Sequence, residues 1–360
     1  MPGTRPGPAT IYAVAASAGV SIATVSRVLQ GAARVSDATR EKVLAAVRRL
    51  DYLPRDSARA LAAKKHEAVG LMLPELTGPY FAELLVGFES AAADLGLSVA
   101  LLMTDEPGLS RPLRQLVARV DGLAVMARPG QLAVGELESL ARRLPLVQLA
   151  AGPQADAIGT ENTGRARELT EHLFDHGRRR VVFVGDPDLA PDGAERHAGF
   201  LAAHDAAGFT APEPVRVGYS EEAGRRFAHE LLDGTQLPDG QLPDGLFCVN
   251  DEVAVAMLDE LQRAGLTIPD DLAITGWDDV MTARYTRPGL TTVAQPVREL
   301  GGLAATTLHR WITTGDQEHD PTILPTRIVL RGSCGCPEAE LTATRPRHLP
   351  VRETLKEEPK

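Results

Sequence analysis

Three polar side chains in this 360-residue chain fall where apolar runs give way to helical patterns. Asn250 directly follows Leu246–Val249, Asp278 follows Leu272–Thr275, and Arg196 stands after a further run and a loop, in Arg-His-Ala-Gly-Phe. In sheets of parallel strands, ligands settle at the carboxyl ends. An aspartate, an asparagine and an arginine converging there offer paired donors and acceptors for a vicinal diol. A site built to hydrogen-bond hydroxyls rejects ligands that lack them. Thr77, Tyr80 and Phe81 follow the first run of the body and would supply an aromatic wall. Among the neighbours, Asp251 is expected as a helix N-cap and Asp279 as a structural or interlobe residue. Asn162 stands at the cleft edge, and Trp277 is either a sugar-stacking ring or core.

A second chemistry sits near the start. In residues 10–34, Ile11, Val14, Ala15 and Ala18 fall at i, i+3, i+4 and i+7, one face of a helix. Gly19 follows where a tight turn needs no Cβ, and Ser21 suits the N-cap of a second helix. On that helix Val25, Val28 and Leu29 face inward, while Ile22, Ala23, Ser26, Arg27 and Gln30 face outward. Short side chains around one arginine let such a helix enter the DNA major groove, the pattern of a helix-turn-helix reader.

Charge agrees. Residues 1–65 carry eleven Lys/Arg against four Asp/Glu, a net of +7, in a chain whose net is −10, so the remainder is −17. A basic head on an acidic body confines phosphate contact to the head. From Ala68 onward, short apolar runs (Val69–Leu73, Ser98–Leu102, Gly122–Met126, Leu146–Leu149, Arg180–Val184, Leu246–Val249, Leu272–Thr275) alternate with amphipathic helical stretches. That alternation predicts parallel doubly wound sheets. About 270 residues of it exceed one usual core, which predicts two α/β lobes with a cleft between them.

The run from Thr10 to Leu61 resembles the DNA-binding head of the lactose-repressor (LacI) family. The pieces are Thr10-Ile11-Tyr12-x-Val14-Ala15, Ala18-Gly19-Val20-Ser21, Thr24-Val25-Ser26-Arg27-Val28-Leu29, Val35-Ser36-x-x-Thr39-Arg40-x-Lys42-Val43 and Leu50-x-Tyr52-x-Pro54. The resemblance continues to about residue 335. It implies a periplasmic-binding-protein-like two-lobe body and a homodimer that reads a pseudo-palindromic double-stranded operator. It implies base-facing roles for Ile22, Ala23 and Arg27: Arg27 toward guanine O6/N7, the other two toward apolar groups such as a thymine methyl. Thr10, Ser21, Thr24, Ser26 and Arg34 read as phosphate contacts or caps. Residues 55–67 match the family's hinge helix. There Leu61 corresponds to the leucine that wedges into the minor groove, and Ala58 to the small residue that lets paired hinges approach. Arg196 matches the arginine that reaches ligand hydroxyls or carboxylates.

The resulting expectation is an all-α helix-turn-helix head on an α/β two-lobe body. Residues 1–9 are read as a disordered start, 10–54 as the head and 55–67 as hinge or linker. The effector-binding and dimerisation domain is 68–334, with an N-lobe at about 68–160 and 290–320 and a C-lobe at about 161–289 and 321–334. A disordered tail occupies 335–360, without the apolar heptads of a coiled coil. No Gly-rich phosphate loop or nucleophile triad stands out, so a regulator is favoured over an enzyme, and no cofactor is expected. A regulator answering to a partner protein, or a sugar binder without DNA function, are the alternatives. Cys248 reads as core. Cys334 and Cys336 form a C-x-C with no further ligand nearby in sequence, so no metal is expected. No apolar run spans a bilayer, and the start lacks the apolar core of a signal peptide, which predicts a cytoplasmic protein. The effector would be a sugar or a nucleoside.

Overall fold

The computed structural model describes residues 9–29, 35–52, 66–103, 110–132, 135–150, 157–235, 241–317 and 321–337. Gln30, Arg34, Ala58 and Leu61 therefore lie outside the described residues. The chain divides into two units, Met1–His66 and Glu67–Lys360.

In the first unit, Thr10 caps α1 (Ile11–Ala18), its Oγ1 accepting the Ala13 N–H at 3.3 Å. The helix ends on Gly19 at φ +67°. The Gly19 and Val20 N–H groups return to the carbonyls of Ala16 and Ala15, a Schellman stop that only a residue at ease with positive φ enters cheaply. Ser21 then caps α2 (Ile22–Leu29) by accepting the Thr24 N–H at 3.2 Å. The two helices meet at 101°, within the range of helix-turn-helix pairs. Ser36 caps α3 (Asp37–Arg49), which closes the unit over Val14, Val25, Val28, Val43 and Ala46. Burying a valine of this kind contributes about 1.5–3 kcal/mol.

The second unit runs β1 (Ala68–Leu73), α4 (Gly78–Asp94), β2 (Ser98–Met103), α5 (Ser110–Val117), β3 (Gly122–Val125), α6 (Glu136–Ala141), β4 (Leu146–Leu149) and β5 (Ala157–Thr160). It continues through α7 (Thr163–Asp175), β6 (Val181–Val184), α8 (Pro191–Ala207), α9 (Glu221–Leu232), β7 (Gly245–Cys248), α10 (Asp251–Arg263), β8 (Ala273–Thr275) and β9 (Thr292–Ala294). It returns with α11 (Val297–Thr314), β10 (Thr322–Leu324) and β11 (Arg327–Val329). The N-lobe sheet is all parallel in the order β10-β5-β4-β3-β1-β2. Apolar clusters cover both its faces, which is why Gly122–Val125 is buried at every position. Helices α4 and α11 pack at glycine distance: a Cβ on Gly301 would lie 2.2 Å from the Leu84 carbonyl. The C-lobe pairs β6-β7-β8 in parallel beside an antiparallel β9–β11 ribbon, over one core that includes Phe183, Phe200, Phe247, Trp277 and Cys248.

Strand pairing moves the lobe crossings from the expected places. β9 bridges to the C-lobe at Thr275–Thr291 and Asp278–Ala294, so the chain re-enters the N-lobe near Gln295 rather than near 290. β10 pairs with β5 in the N-lobe sheet, so 322–324 belongs there and the last crossing falls at about 325. Three-residue strands show no period that sequence reading can use. The crossings are laced together. Glu161 N–H donates to the Leu324 carbonyl at 2.9 Å, Thr326 Oγ1 to the Glu161 carbonyl at 2.8 Å, and Thr160 Oγ1 to Gln295 Oε1 at 2.5 Å. No single helix among the described residues is long and apolar enough to cross a membrane.

Candidate functional site

On α2 the inward stripe holds Val25 and Val28, while Ile22 is 40% exposed and Ala23 and Arg27 are exposed beside it. Thr10 and Ser21 make the cap bonds given above. Thr24 Oγ1 lies 2.9 Å from Ser21 Oγ, and Ser26 is half-buried. Neither α1 nor α2 carries an acidic residue in its own first turn, so neither helix neutralises its own positive N-terminal end.

The body holds an open cleft where strand ends and loops of the two lobes meet, the usual place for a small-molecule site in such folds. Thr77, Tyr80, Phe81, Arg196, Asn250 and Asp278 all line it. Parallel neighbours β7 and β8 end at Cys248 and Thr275, which delivers Asn250 and Asp278 to one rim. Tyr80 and Phe81 come from the first turn of α4 and meet edge to face with centroids 5.4 Å apart.

Arg196 is 4% exposed and held on every side. Its Nε donates to Asn162 Oδ1 at 3.0 Å, one terminal nitrogen donates to the Val249 carbonyl at 2.8 Å, and the guanidinium lies 4.7 Å over the Trp277 ring. Trp277 is thus core with a cation on its face, not an exposed sugar platform. Asn162, 2% exposed, positions Arg196 instead of facing the cleft. Asp251 differs from expectation. Asn250 is the N-cap of α10, its Oδ1 accepting the Val253 N–H at 3.0 Å and its Nδ2 donating to the Tyr219 carbonyl at 2.7 Å. Asp251 is fully buried and accepts from Thr292 Oγ1 and the Val280 N–H. Asp279 pairs with Arg331 and Arg284, a structural role. Thr77 Oγ1 donates to Glu75 at 2.9 Å.

Six polar residues of the cleft were not singled out from sequence: Glu75, Arg128, Asp192, Tyr219, Ser220 and Glu252. Arg128 follows β3 and pairs with Glu75, the same strand-end position that marked Asn250. Asp192 precedes Arg196 by one helical turn and pairs with it at 3.5 Å. Burial pushes the Asp278 carboxyl up to about 7, with Arg196 and the Gln295 amide drawing it partly back. It pushes Asp192 up to about 6 against the pull of Arg196. Burial, with Asp192 and Asp278 nearby, also raises the Tyr80 hydroxyl, which stays protonated and able to donate. Gln295 Nε2 donates to Asp278 Oδ1 at 2.6 Å, and the same Gln295 accepts from Thr160 on the neighbouring crossing. The cleft carboxylate is therefore one side chain from the strands that join the lobes.

Comparison with known proteins adds the rest. A family model for bacterial regulatory proteins of the lacI family matches residues 10–55, and one for a periplasmic binding protein-like domain matches residues 170–334. The HTH-type transcriptional regulator DegA of Bacillus subtilis (strain 168) is 30% identical over 339 residues, 90% of this chain and 97% of that protein. The lac repressor dimer bound to operator and the anti-inducer ONPF superposes with a TM-score of 0.80 at 26% identity, covering 91% of this chain and 99% of that one. A complex of the transcriptional regulator CelR with cellobiose gives 0.67 at 29% identity, covering 91% and 100%. These relatives are regulators, not enzymes. With a capped helix-turn-helix head, a two-lobe body and relatives matched along nearly their whole length, the chain belongs to the lacI family of bacterial regulatory proteins and is a DNA-binding transcriptional regulator.

Proposed function

We propose that this regulator is a homodimeric repressor whose grip on a pseudo-palindromic operator is set by a small hydroxylated metabolite, a sugar or a nucleoside, held in the interlobe cleft. The observation that carries the reading is the trio of buried Arg196 with half-buried Asp192 and Asp278, which lines one cleft together with Tyr80 and Arg128. A fixed cation with carboxylates at its side presents donors and acceptors in the pairs that adjacent hydroxyls need, and the aromatic edge of Tyr80 and Phe81 suits the apolar face of a sugar ring.

The head reads with Arg27, Ile22 and Ala23 on the outward face of α2. Thr10, Ser21, Thr24, Ser26 and Arg34 fix its register on phosphates. Ala58 and Leu61 act in the hinge, where an apolar wedge in the minor groove kinks the duplex. Hydroxyls binding Asp278 compete with its bond to Gln295. That bond is the first link to the crossings at Thr160, Glu161 and Thr326, so ligand and lobe angle are coupled, and by linkage ligand and DNA affect each other equally.

Thermal denaturation of the full chain with pentoses, hexoses, disaccharides and nucleosides tests the effector class. A binder at a hundredfold its Kd adds about 2.7 kcal/mol. A shift given by hydroxylated ligands, and lost in Asp278→Asn, supports the reading. No shift across the panel, with operator binding altered only by added protein, would replace it with control by a partner protein.

A further inference from the structure

Two histidines and two cysteines far apart in sequence come together on the C-lobe, away from the cleft. His172 and His176 lie one turn apart at the end of α7, so their rings share a face, with centroids 4.6 Å apart. Opposite them runs the last described segment, a single 3-10 turn, Gly332–Cys334, followed by Gly335 and Cys336. That segment is anchored, not loose. Ser333 Oγ donates to the Ile274 carbonyl at 2.6 Å and accepts the Thr291 N–H at 2.8 Å. Gly335 takes φ +109°, which turns the chain so that both sulfurs face α7; a Cβ there would also crowd His176 Nδ1 at 3.3 Å.

The four donor atoms all lie within 4.8 Å of one another. Cys334 Sγ is 3.3 Å from His172 Nε2, and Cys336 Sγ is 3.5 Å from Nε2 of both His172 and His176. A tetrahedral zinc with bonds of about 2.3 Å to sulfur and about 2.05 Å to nitrogen has nitrogen–sulfur edges of about 3.6 Å. Three of the four nitrogen–sulfur edges of the cluster are already 3.3–3.5 Å and every other pair of donor atoms lies within 4.8 Å, so a zinc ion fits with shifts of about an ångström or less.

We propose that His172, His176, Cys334 and Cys336 form a structural Cys2His2 zinc site that staples the end of the chain to α7. Two soft thiolates and two imidazoles select zinc over magnesium or calcium, which take oxygen. Four protein ligands leave no open position, so the site holds structure and performs no reaction. Its place is informative. The staple closes just after the last lobe crossing, at about 325, and therefore fixes the C-lobe end of the segment that joins the lobes. The H-x3-H spacing falls within the H-x3–5-H range common in structural zinc sites. It went unread because its partner C-x-C lies some 160 residues away, and the expectation of no metal followed from that distance.

The test is metal content of the intact, untagged chain purified under reducing conditions with zinc in the medium, followed by chelator treatment and titration with cobalt(II). The proposal expects about one zinc per chain, and on cobalt the intense visible bands of a tetrahedral ion with thiolate charge transfer in the near ultraviolet. It also expects a lower melting temperature after chelation that zinc restores. Cys336→Ser and His176→Ala should each drop the zinc content at least tenfold, while Cys248→Ser keeps one equivalent. The intact chain decides the matter even if a variant fails to fold. Less than a tenth of an equivalent of zinc, or only the weak spectrum of six-coordinate cobalt, overturns the site, as does full zinc content in Cys336→Ser.

Discussion

Replacing Asp278 by asparagine separates what that carboxylate does for the fold from what it does for the ligand. The variant keeps the shape and still offers an oxygen to Gln295 Nε2, now 2.6 Å away, but it never carries charge. In the parent chain burial pushes the carboxyl from 3.8 up to about 7. A carboxyl whose folded pKa lies above its unfolded one keeps a proton that the unfolded chain has already released. Its contribution to stability is complete below about pH 4 and is lost as pH rises through about 7. A rise from 3.8 to about 7 corresponds to an upper limit of about 4 kcal/mol, at about 1.4 kcal/mol per unit. Asp278→Asn should therefore match the parent near pH 4 and exceed it at pH 8 by up to about 4 kcal/mol. Asp192, pushed up to about 6, titrates in both proteins, and because its charge helps raise Asp278, the gap includes the repulsion between the two carboxylates. The same variant should lose the stabilisation given by hydroxylated ligands. In the parent, ligand affinity should rise with pH up to about 7, because hydroxyl donors favour the charged carboxylate. Urea denaturation of parent and variant at pH 4.5, 6 and 8 reads the gap. A gap that stays constant with pH would refute the assignment of a raised carboxyl at this position.

Three other outcomes are expected. Arg27→Ala should cost about 1–3 kcal/mol of specific DNA affinity and relax preference at one base pair per half-site, read by competition binding. Leu61→Ala should weaken specific binding by roughly 1–3 kcal/mol and leave ligand affinity nearly intact; unchanged operator affinity counts against the wedge. Gly301→Ala places a Cβ 2.2 Å from the Leu84 carbonyl and should destabilise the body by about 1–3 kcal/mol through separation of α4 and α11, read by thermal melting, whereas Gly302→Ala, whose Cβ would meet its neighbours no nearer than 3.6 Å, should be close to neutral.

The head was legible because its determinants are local. The stripe of Ile11, Val14, Ala15 and Ala18, the stop at Gly19 and the cap at Ser21 all act within a few residues, and each appears in the structure in that role. The alternating strands and helices of the body were legible for the same reason, to within a residue or two at most ends. The strand-end rule also located the rim of the cleft at Asn250 and Asp278. Applied after Gly122–Val125 it would have found Arg128, and helical spacing from Arg196 would have found Asp192. What sequence could not show depends on distant partners. The cap role passed from Asp251 to Asn250 because Thr292, 41 residues on, claims the aspartate. The lobe crossings shifted because β9, β10 and β11 are three residues each and are defined by the strands they pair with.

The central claim is that a charged head grips duplex DNA as a twofold pair and that the cleft in the body controls the grip. The most direct measurement is anisotropy of the full chain on a pseudo-palindromic duplex selected from a random pool, against random competitor at physiological ionic strength. It would be run with and without a ligand that raises the melting temperature. The account predicts a preference of at least about a thousandfold for the selected duplex, falling with added salt and changed at least tenfold by the ligand. Equal affinity for selected and random DNA in every ligation state would contradict it.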